Sequence, residues 1–359
     1  MYNKLSLKNF RGFKDFSMEL KPVTLIAGKN NTGKTSVLES VFLFQKYSDV
    51  NVFLILQNLR EPTIDFRHTP ALTANNVWNP FFYGMNPEET LEIKLDDEFT
   101  LRLKKDTEYA LPENIPNALK SRVDFSITKN YTLRCDFSKE PNNFSGAYVI
   151  GGNDNMNFST LIPSNTDIPV PVNPEYIQFL GPSNTLSDEQ VAENFGILDL
   201  NNNKQELIDI LKILEKDISD ITTVAIDRRV QLYISKQNSR LPVGVMGDGI
   251  RKILHIALTL LVNPGCILLM DEVENGLHYS LFPKFWEIVA KLAVEGGCQV
   301  IATTHSYECV QGATEGVHEG NLQDYFSFTR LDREEGTIKP KRYTIGSLER
   351  SINTGWEVR

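Results

Sequence analysis

The segment Gly28–Thr35, GKNNTGKT, constrains this 359-residue chain more than any other. It fits the pattern G-x-x-x-x-G-K-[ST]. Before it, VTLIAG reads as a strand; after it, TSVLESVFLF opens a helix with apolar positions on one face. In that order, glycines let successive backbone N–H groups turn inward, and the helix N-terminus adds partial positive charge. The arrangement suits phosphate. Lys34 is expected to reach the β- and γ-phosphates of a nucleotide, and the Thr35 hydroxyl to ligate Mg²⁺. Gly28, Asn30, Asn31, Thr32, Gly33 and Ser36 complete the cradle.

A second constraint is CILLMDEVENGLH, Cys266 to His278. CILLM is a continuous apolar run, as in a strand buried on both faces of a parallel sheet. Asp271 stands at its C-terminal end, where open α/β sheets bind ligands. The first carboxylate after such a strand holds the Mg²⁺ between β- and γ-phosphates, so Asp271 takes the metal. Glu272 points differently and is assigned the attacking water. A third strand, CQVIATTHS, ends in His305, placed to hydrogen-bond a phosphate oxygen. His278 reads equally as a contact to a second subunit or as plain surface.

A net charge of −9 argues against a generally basic nucleic-acid coat, so any such contact must be local. One basic stretch is Arg228 to Lys252, with Arg229, Lys236, Arg240 and Arg251 between; a DNA track and a solvated face both fit it. The four cysteines lack CxxC spacing and read as buried free thiols in a reducing compartment. The alternating start MYNKLSLKNFRGF lacks a signal-peptide core. The apolar region Ile253–Met270 is interrupted by His255, Asn263, Pro264 and Gly265, so no membrane span is expected. The expected location is the cytoplasm.

Thr35 and Asp271 stand 236 positions apart, and His305 follows Glu272 by 33. With this spacing, the N-terminal KLSLKNFRGFKDFSMELKPVTLIAGKNNTGKTSVLES resembles the ABC-type ATPase heads of the SMC and RecF class. Together with GDGIRKILHIALTLL, ILLMDEVENGLH and VIATTHS, it most resembles the AAA family ATPases related to OLD nucleases, which occur in bacterial anti-phage systems. The resemblance is strong over residues 1–45 and 240–310 and weak between them. It implies an α/β ABC-type P-loop head with a mixed sheet, an antiparallel β subdomain and a helical lid, without a long coiled coil. It also implies a head-to-tail homodimer or higher oligomer around ATP and Mg²⁺. A signature loop of one subunit then caps the γ-phosphate held by the other. Gly247, Asp248 and Gly249 occupy that place, departing from the usual Ser-x-Gly. Gln178 is the candidate glutamine that reaches the metal, and Arg11 is the candidate arginine beside the base or phosphates.

Three parts follow along the chain: an N-terminal lobe over 1–180, a helical lid over 181–250 and a C-terminal lobe over 251–359. TLEIKLDDEFTLRLKK alternates as a hairpin, with Leu91, Ile93, Leu95, Phe99, Leu101 and Leu103 inward. RVDFSITKNYTLRCDF repeats it with Val123, Phe125, Ile127, Tyr131, Leu133 and Cys135. Residues 138–175, rich in Asn, Ser, Pro and Gly, read as loops. KQELIDILKILEKDISDI places Leu207, Ile210, Leu211, Leu214 and Ile218 on one helical face. A closing hairpin and a last helix end the chain. No cluster of nuclease metal ligands follows His305, so the expected output is a separate effector, a nuclease or toxin. The alternative is a RecF-like repair ATPase that clamps DNA.

Overall fold

The computed structural model describes residues 1–60, 77–106, 132–139, 142–153, 156–164, 176–181, 186–226, 229–237, 239–355 and 358. The period-two patterns become a seven-stranded antiparallel sheet. Lys4–Phe10 (β1) buries Leu5, Leu7 and Phe10, and Phe13–Glu19 (β2) buries Phe13, Phe16 and Met18. After Val23–Gly28 (β3), Leu91–Leu95 (β4) and Phe99–Lys105 (β5) form the expected hairpin, with Leu95 opposite Phe99. Thr132–Lys139 (β6), Asn142–Asn153 (β7) and Met156–Pro163 (β8) complete the order β2-β1-β4-β5-β6-β7-β8.

One expectation lies partly outside the described residues, and one changes. The first half of the second hairpin, with Val123, Phe125, Ile127 and Tyr131, lies outside the described residues, while Leu133 and Cys135 sit buried on β6. Residues 142–153 and 156–163, expected as loops, are strands. Asn, Ser and Gly lower strand propensity. An unbroken ladder from Thr132↔Val149 to Lys139↔Asn142, with Phe144 and Tyr148 buried, outweighs that preference.

The second sheet runs β16-β15-β3-β14-β13-β9. Its members beyond β3 are Ile177–Leu180 (β9), Ile267–Met270 (β13), Gln299–Thr303 (β14), Phe326–Glu334 (β15) and Thr337–Tyr343 (β16). β15, β3, β14, β13 and β9 are parallel, and β16 closes the edge as an antiparallel hairpin partner. Every residue of β3, β13 and β14 is buried, as continuous apolar runs require.

Alternation along these strands divides two cores. Ile26, Ile267, Leu269 and Ile301 join the seven-stranded sheet, whereas Leu25, Ala27, Leu268, Met270, Val300 and Ala302 join the helices opposite. Between the sheets lies Lys34–Gln45 (α1), with Val52–Arg60 (α2) following it. Sequence predicts one apolar face for α1; instead all its residues but Thr35 are buried. Its polar members are satisfied locally: Gln45 donates to the Tyr2 hydroxyl at 2.8 Å and Ser40 to the Val37 carbonyl at 2.7 Å.

The other face is covered by Asp248–Val262 (α5), Phe282–Glu295 (α6) and Tyr307–Glu319 (α7), with Asp188–Leu200 (α3) and Lys204–Lys212 (α4) preceding them and Ile345–Asn353 (α8) last. The stretch 181–250 is not wholly helical. α4 stops at Lys212, and Ile218–Ile226 (β10), Arg229–Lys236 (β11) and Ser239–Pro242 (β12) form a three-stranded sheet. Ile218 therefore begins a strand instead of extending the helical stripe, consistent with the β-branched run ISDITTVAI. No helix among the described residues is long and apolar enough to cross a membrane. All four cysteines are free and buried.

Candidate nucleotide-binding site

The glycines of the GKNNTGKT turn are required by close contacts. Gly28 has φ 145°, and a Cβ there would lie 2.5 Å from the Leu331 carbonyl oxygen. Gly33, at φ 86°, would press a Cβ to 2.6 Å from Phe13. Gly33 caps α1, and no side chain caps that helix, so its first N–H groups face the turn. Lys34 folds back over the turn. Its ammonium donates to the Gly28 carbonyl at 2.7 Å and the Lys29 carbonyl at 2.9 Å, with His305 Nδ1 at 3.3 Å. Burial lowers its pKa to about 8 against the opposing pull of Asp271, Glu274 and Glu272. A cation so poorly solvated gains from an incoming anion.

Parallel pairing of β3, β14 and β13 brings the three predicted segments to one sheet edge. Asp271 follows β13, and its carboxylate accepts from the Thr35 hydroxyl at 2.9 Å and from Thr303 Oγ1 at 2.5 Å. Glu272 adopts the left-handed conformation at φ 49°. That twist separates its direction from that of Asp271. Its backbone N–H donates to Thr303 Oγ1 at 2.9 Å, and Asn275 donates to its Oε2 at 2.8 Å. Thr303 thus ties both acids to the tip of β14, a role not found from sequence; its place two residues before His305 is the available signal. His305 lies 3.9 Å from Glu272 Oε1 through Nε2, and its backbone N–H donates to Glu274 at 2.7 Å.

These groups line a cavity of about 1410 Å³ that includes Asn30, Asn31, Thr32, Gly33, Lys34, Thr35, Ser36, Asp271, Glu272 and His305. Arg11 also lines it, but its guanidinium is engaged. It lies 4.0 Å over the Phe81 ring, pairs with Glu39 at 3.1 Å and donates to the Pro80 carbonyl at 3.0 Å. Burial lowers its pKa to about 10, with Glu39 opposing. Fully buried Glu39 also accepts from Arg60, which reaches Ser36 Oγ at 3.1 Å. Arg60 was not foreseen; nothing local in its sequence marks it.

Other predicted residues stand elsewhere. Gln178 does not line the cavity: on the edge strand β9 it pairs opposite Leu268 and donates to the Phe179 carbonyl at 3.3 Å. From this segment Phe179 of β9 and Gly181, just beyond the strand, line the cavity. Gly247, Asp248 and Gly249 start α5 and do not line this chain's cavity; Asp248 pairs with Arg251 at 3.5 Å. His278 is exposed, its ring tilted at 37° against Tyr279 with centroids 4.4 Å apart, and bonded to Ser280 at 2.9 Å. The basic stretch does not form one outward track. Lys236 pairs with Glu215, Arg251 with Asp248, and Lys252 turns inward, while Arg228 lies outside the described residues.

A family profile described as "AAA domain, putative AbiEii toxin, Type IV TA system" matches residues 23–310, spanning the glycine turn, both acids and His305. The chain belongs to this AAA domain family. An "ATP/GTP phosphatase" of Helicobacter pylori is 25% identical over 387 residues, covering 97% of each chain. An uncharacterized protein of Methanocaldococcus jannaschii is 31% identical over 124 residues, covering 34% of this chain and 54% of that protein. An SMC head bound to the C-winged helix domain of ScpA superposes with a TM-score of 0.50 at 13% identity, covering 98% of this chain and 99% of that one. A Pyrococcus furiosus Smc head with an extended coiled coil, bound to the C-terminal domain of ScpA, gives 0.50 at 11% identity over 98% of both. The fold of this AAA domain is therefore that of an SMC-type ATPase head, without a long coiled coil among the described residues.

Proposed function

We propose that this AAA domain protein is a Mg²⁺-dependent ATPase acting as a switch. ATP binding joins two copies, and hydrolysis controls a separate effector, a nuclease or toxin, in defence against phage. The observation that carries the reading is the meeting of Lys34, Thr35, Asp271, Glu272 and His305 at one cavity from three distant segments. The phosphatase relative supports hydrolysis. The family description and the OLD-like motifs support the defence setting.

The donor set suits a hard cation, because the Thr35 hydroxyl and the Asp271 carboxylate are oxygen ligands already in contact. Thr35 and Asp271 would hold Mg²⁺, which when bound neutralises charge developing on the phosphates. The chain's own groups do the rest. The turn N–H groups and the Lys34 ammonium bind the triphosphate. Glu272 orients a water and takes its proton as the water oxygen bonds to the γ-phosphorus and the bond to the β-phosphate oxygen breaks. His305 Nε2 donates to a γ-phosphate oxygen. Gly247–Gly249 of a second copy cap the same phosphate, with glycine N–H groups at a helix start serving in place of a serine hydroxyl.

The test is Glu272→Gln, measured by ATP turnover and by light scattering of the eluting species. Turnover is expected to fall by about a thousandfold, with an ATP-dependent dimer accumulating. Unchanged turnover removes Glu272 as the base. An ATP-loaded monomer removes the dimer.

A further inference from the structure

Lys252 lies one turn into α5, and its half-buried side chain reaches toward the loop that leaves β13. Its ammonium donates to the carbonyls of Val273 at 2.8 Å, Asn275 at 2.9 Å and Glu272 at 3.4 Å. An ammonium has three protons and no lone pair, so these three carbonyls meet its whole donor capacity. The loop is the one that holds Glu272 in its left-handed conformation.

A separate feature joins the same two segments. A Cβ on Gly249 would lie 3.1 Å from the Gly276 carbonyl oxygen, and one on Gly276, at φ 80°, would lie 3.1 Å from Asp248 Cβ. The start of α5 and the loop therefore meet main chain to main chain. On its far side the loop is fixed by Glu274, which accepts from the His305 N–H at 2.7 Å. Burial lowers the Lys252 pKa to about 8, with Glu274 the first opposing charge, so the ammonium is held there at a solvation cost. A lysine serving only as surface covering keeps its head in water.

We propose that Lys252 is a positioning residue for hydrolysis: it makes the Gly247–Gly249 turn and the Glu272 loop move as one body. Whatever engages the glycine turn then also sets where the Glu272 carboxylate points. The inference rests on the reading of Glu272 as the group that handles water. It gives the self-association step a physical route to the chemistry, through one helix turn and three hydrogen bonds.

The experiment compares wild type, Lys252→Met, Lys252→Gln and Glu272→Gln in the full chain. Steady-state ATP hydrolysis, direct ATP titration and thermal melting are measured on each. Lys252→Met is expected to bind ATP within about threefold of wild type and to keep its KM, while kcat falls on the order of 100-fold, the loss that follows a misplacement of about 1 Å. Lys252→Gln, whose amide reaches fewer carbonyls, is expected between the two. If Lys252→Met does not fold, the same split in Lys252→Gln decides. Turnover within threefold of wild type overturns the proposal, as does parallel loss of binding, melting temperature and kcat. A wild type that does not hydrolyse ATP, or an unimpaired Glu272→Gln, overturns the reading of Glu272 and this inference with it. An inactive Glu272→Gln beside a normal Lys252→Met overturns the role of Lys252 alone.

Discussion

The Thr35 hydroxyl donates to the Asp271 carboxylate at 2.9 Å, although 236 positions separate them. Two parallel strand pairings, β3 with β14 and β14 with β13, create that contact. Thr35→Ala deletes one of the two oxygen ligands proposed for Mg²⁺ without disturbing the buried remainder of α1. ATP hydrolysis at saturating Mg²⁺ is expected to fall on the order of 100-fold, the scale of losing part of a metal site. A Mg²⁺ titration of activity checks it; a variant with wild-type rate and Mg²⁺ requirement refutes the assignment.

Asn275 holds Glu272 Oε2 at 2.8 Å and so fixes which way the carboxylate faces. Asn275→Ala leaves the acid in place but frees its rotation. A drop in kcat of about tenfold with KM unchanged is expected, because orientation alone is lost. Steady-state kinetics separate this from a binding defect, which would raise KM instead.

The Lys34 ammonium touches both the turn carbonyls and His305. Lys34→Ala removes the charge that meets the phosphates. Calorimetric titration is expected to show ATP binding weakened by about 100-fold, near the upper end of the roughly 1.5–3 kcal/mol of a hydrogen bond to a charged group. Binding that survives unchanged would place the triphosphate elsewhere.

His255 is buried in α5, and its Nδ1 has no hydrogen-bond partner. Burial, reinforced by Arg251, lowers its pKa to about 4. The unfolded chain takes up this proton near the ordinary value of 6.5, while the folded chain resists until about pH 4. Between those values the unfolded state binds more protons, so stability falls as pH falls, by up to about 3 kcal/mol at the acid end. Denaturant unfolding from pH 7 to pH 4 measures the loss, and His255→Leu is expected to flatten it. An equal acid loss in that variant assigns the effect to other groups.

The meeting of the three segments at one cavity was legible because each signal is local to a strand end. A glycine turn before a helix, two acids after an apolar run and a histidine after another each announce their own geometry. Parallel pairing then follows from uniformly buried strands. What remained hidden depends on register or on distant partners. Gln178 stays off the cavity lining while its neighbours Phe179 and Gly181 reach it, and no pattern within EYIQFLGPSN reveals that offset. Glu39 and Arg60 meet only after α1 and α2 fold against each other. The loops expected over 138–175 were misread because ladder pairing satisfies a strand whose own residues favour turns. Ile218 fits an apolar stripe on a helix or a strand equally well, and only packing decides.

The burial of α1 on nearly all sides has a mechanical corollary. A helix with a wet flank can rock without disturbing its neighbours, but this one is wedged between two β layers like a keystone. A displacement of its first turn is therefore passed to the packed side chains of both layers rather than absorbed by solvent.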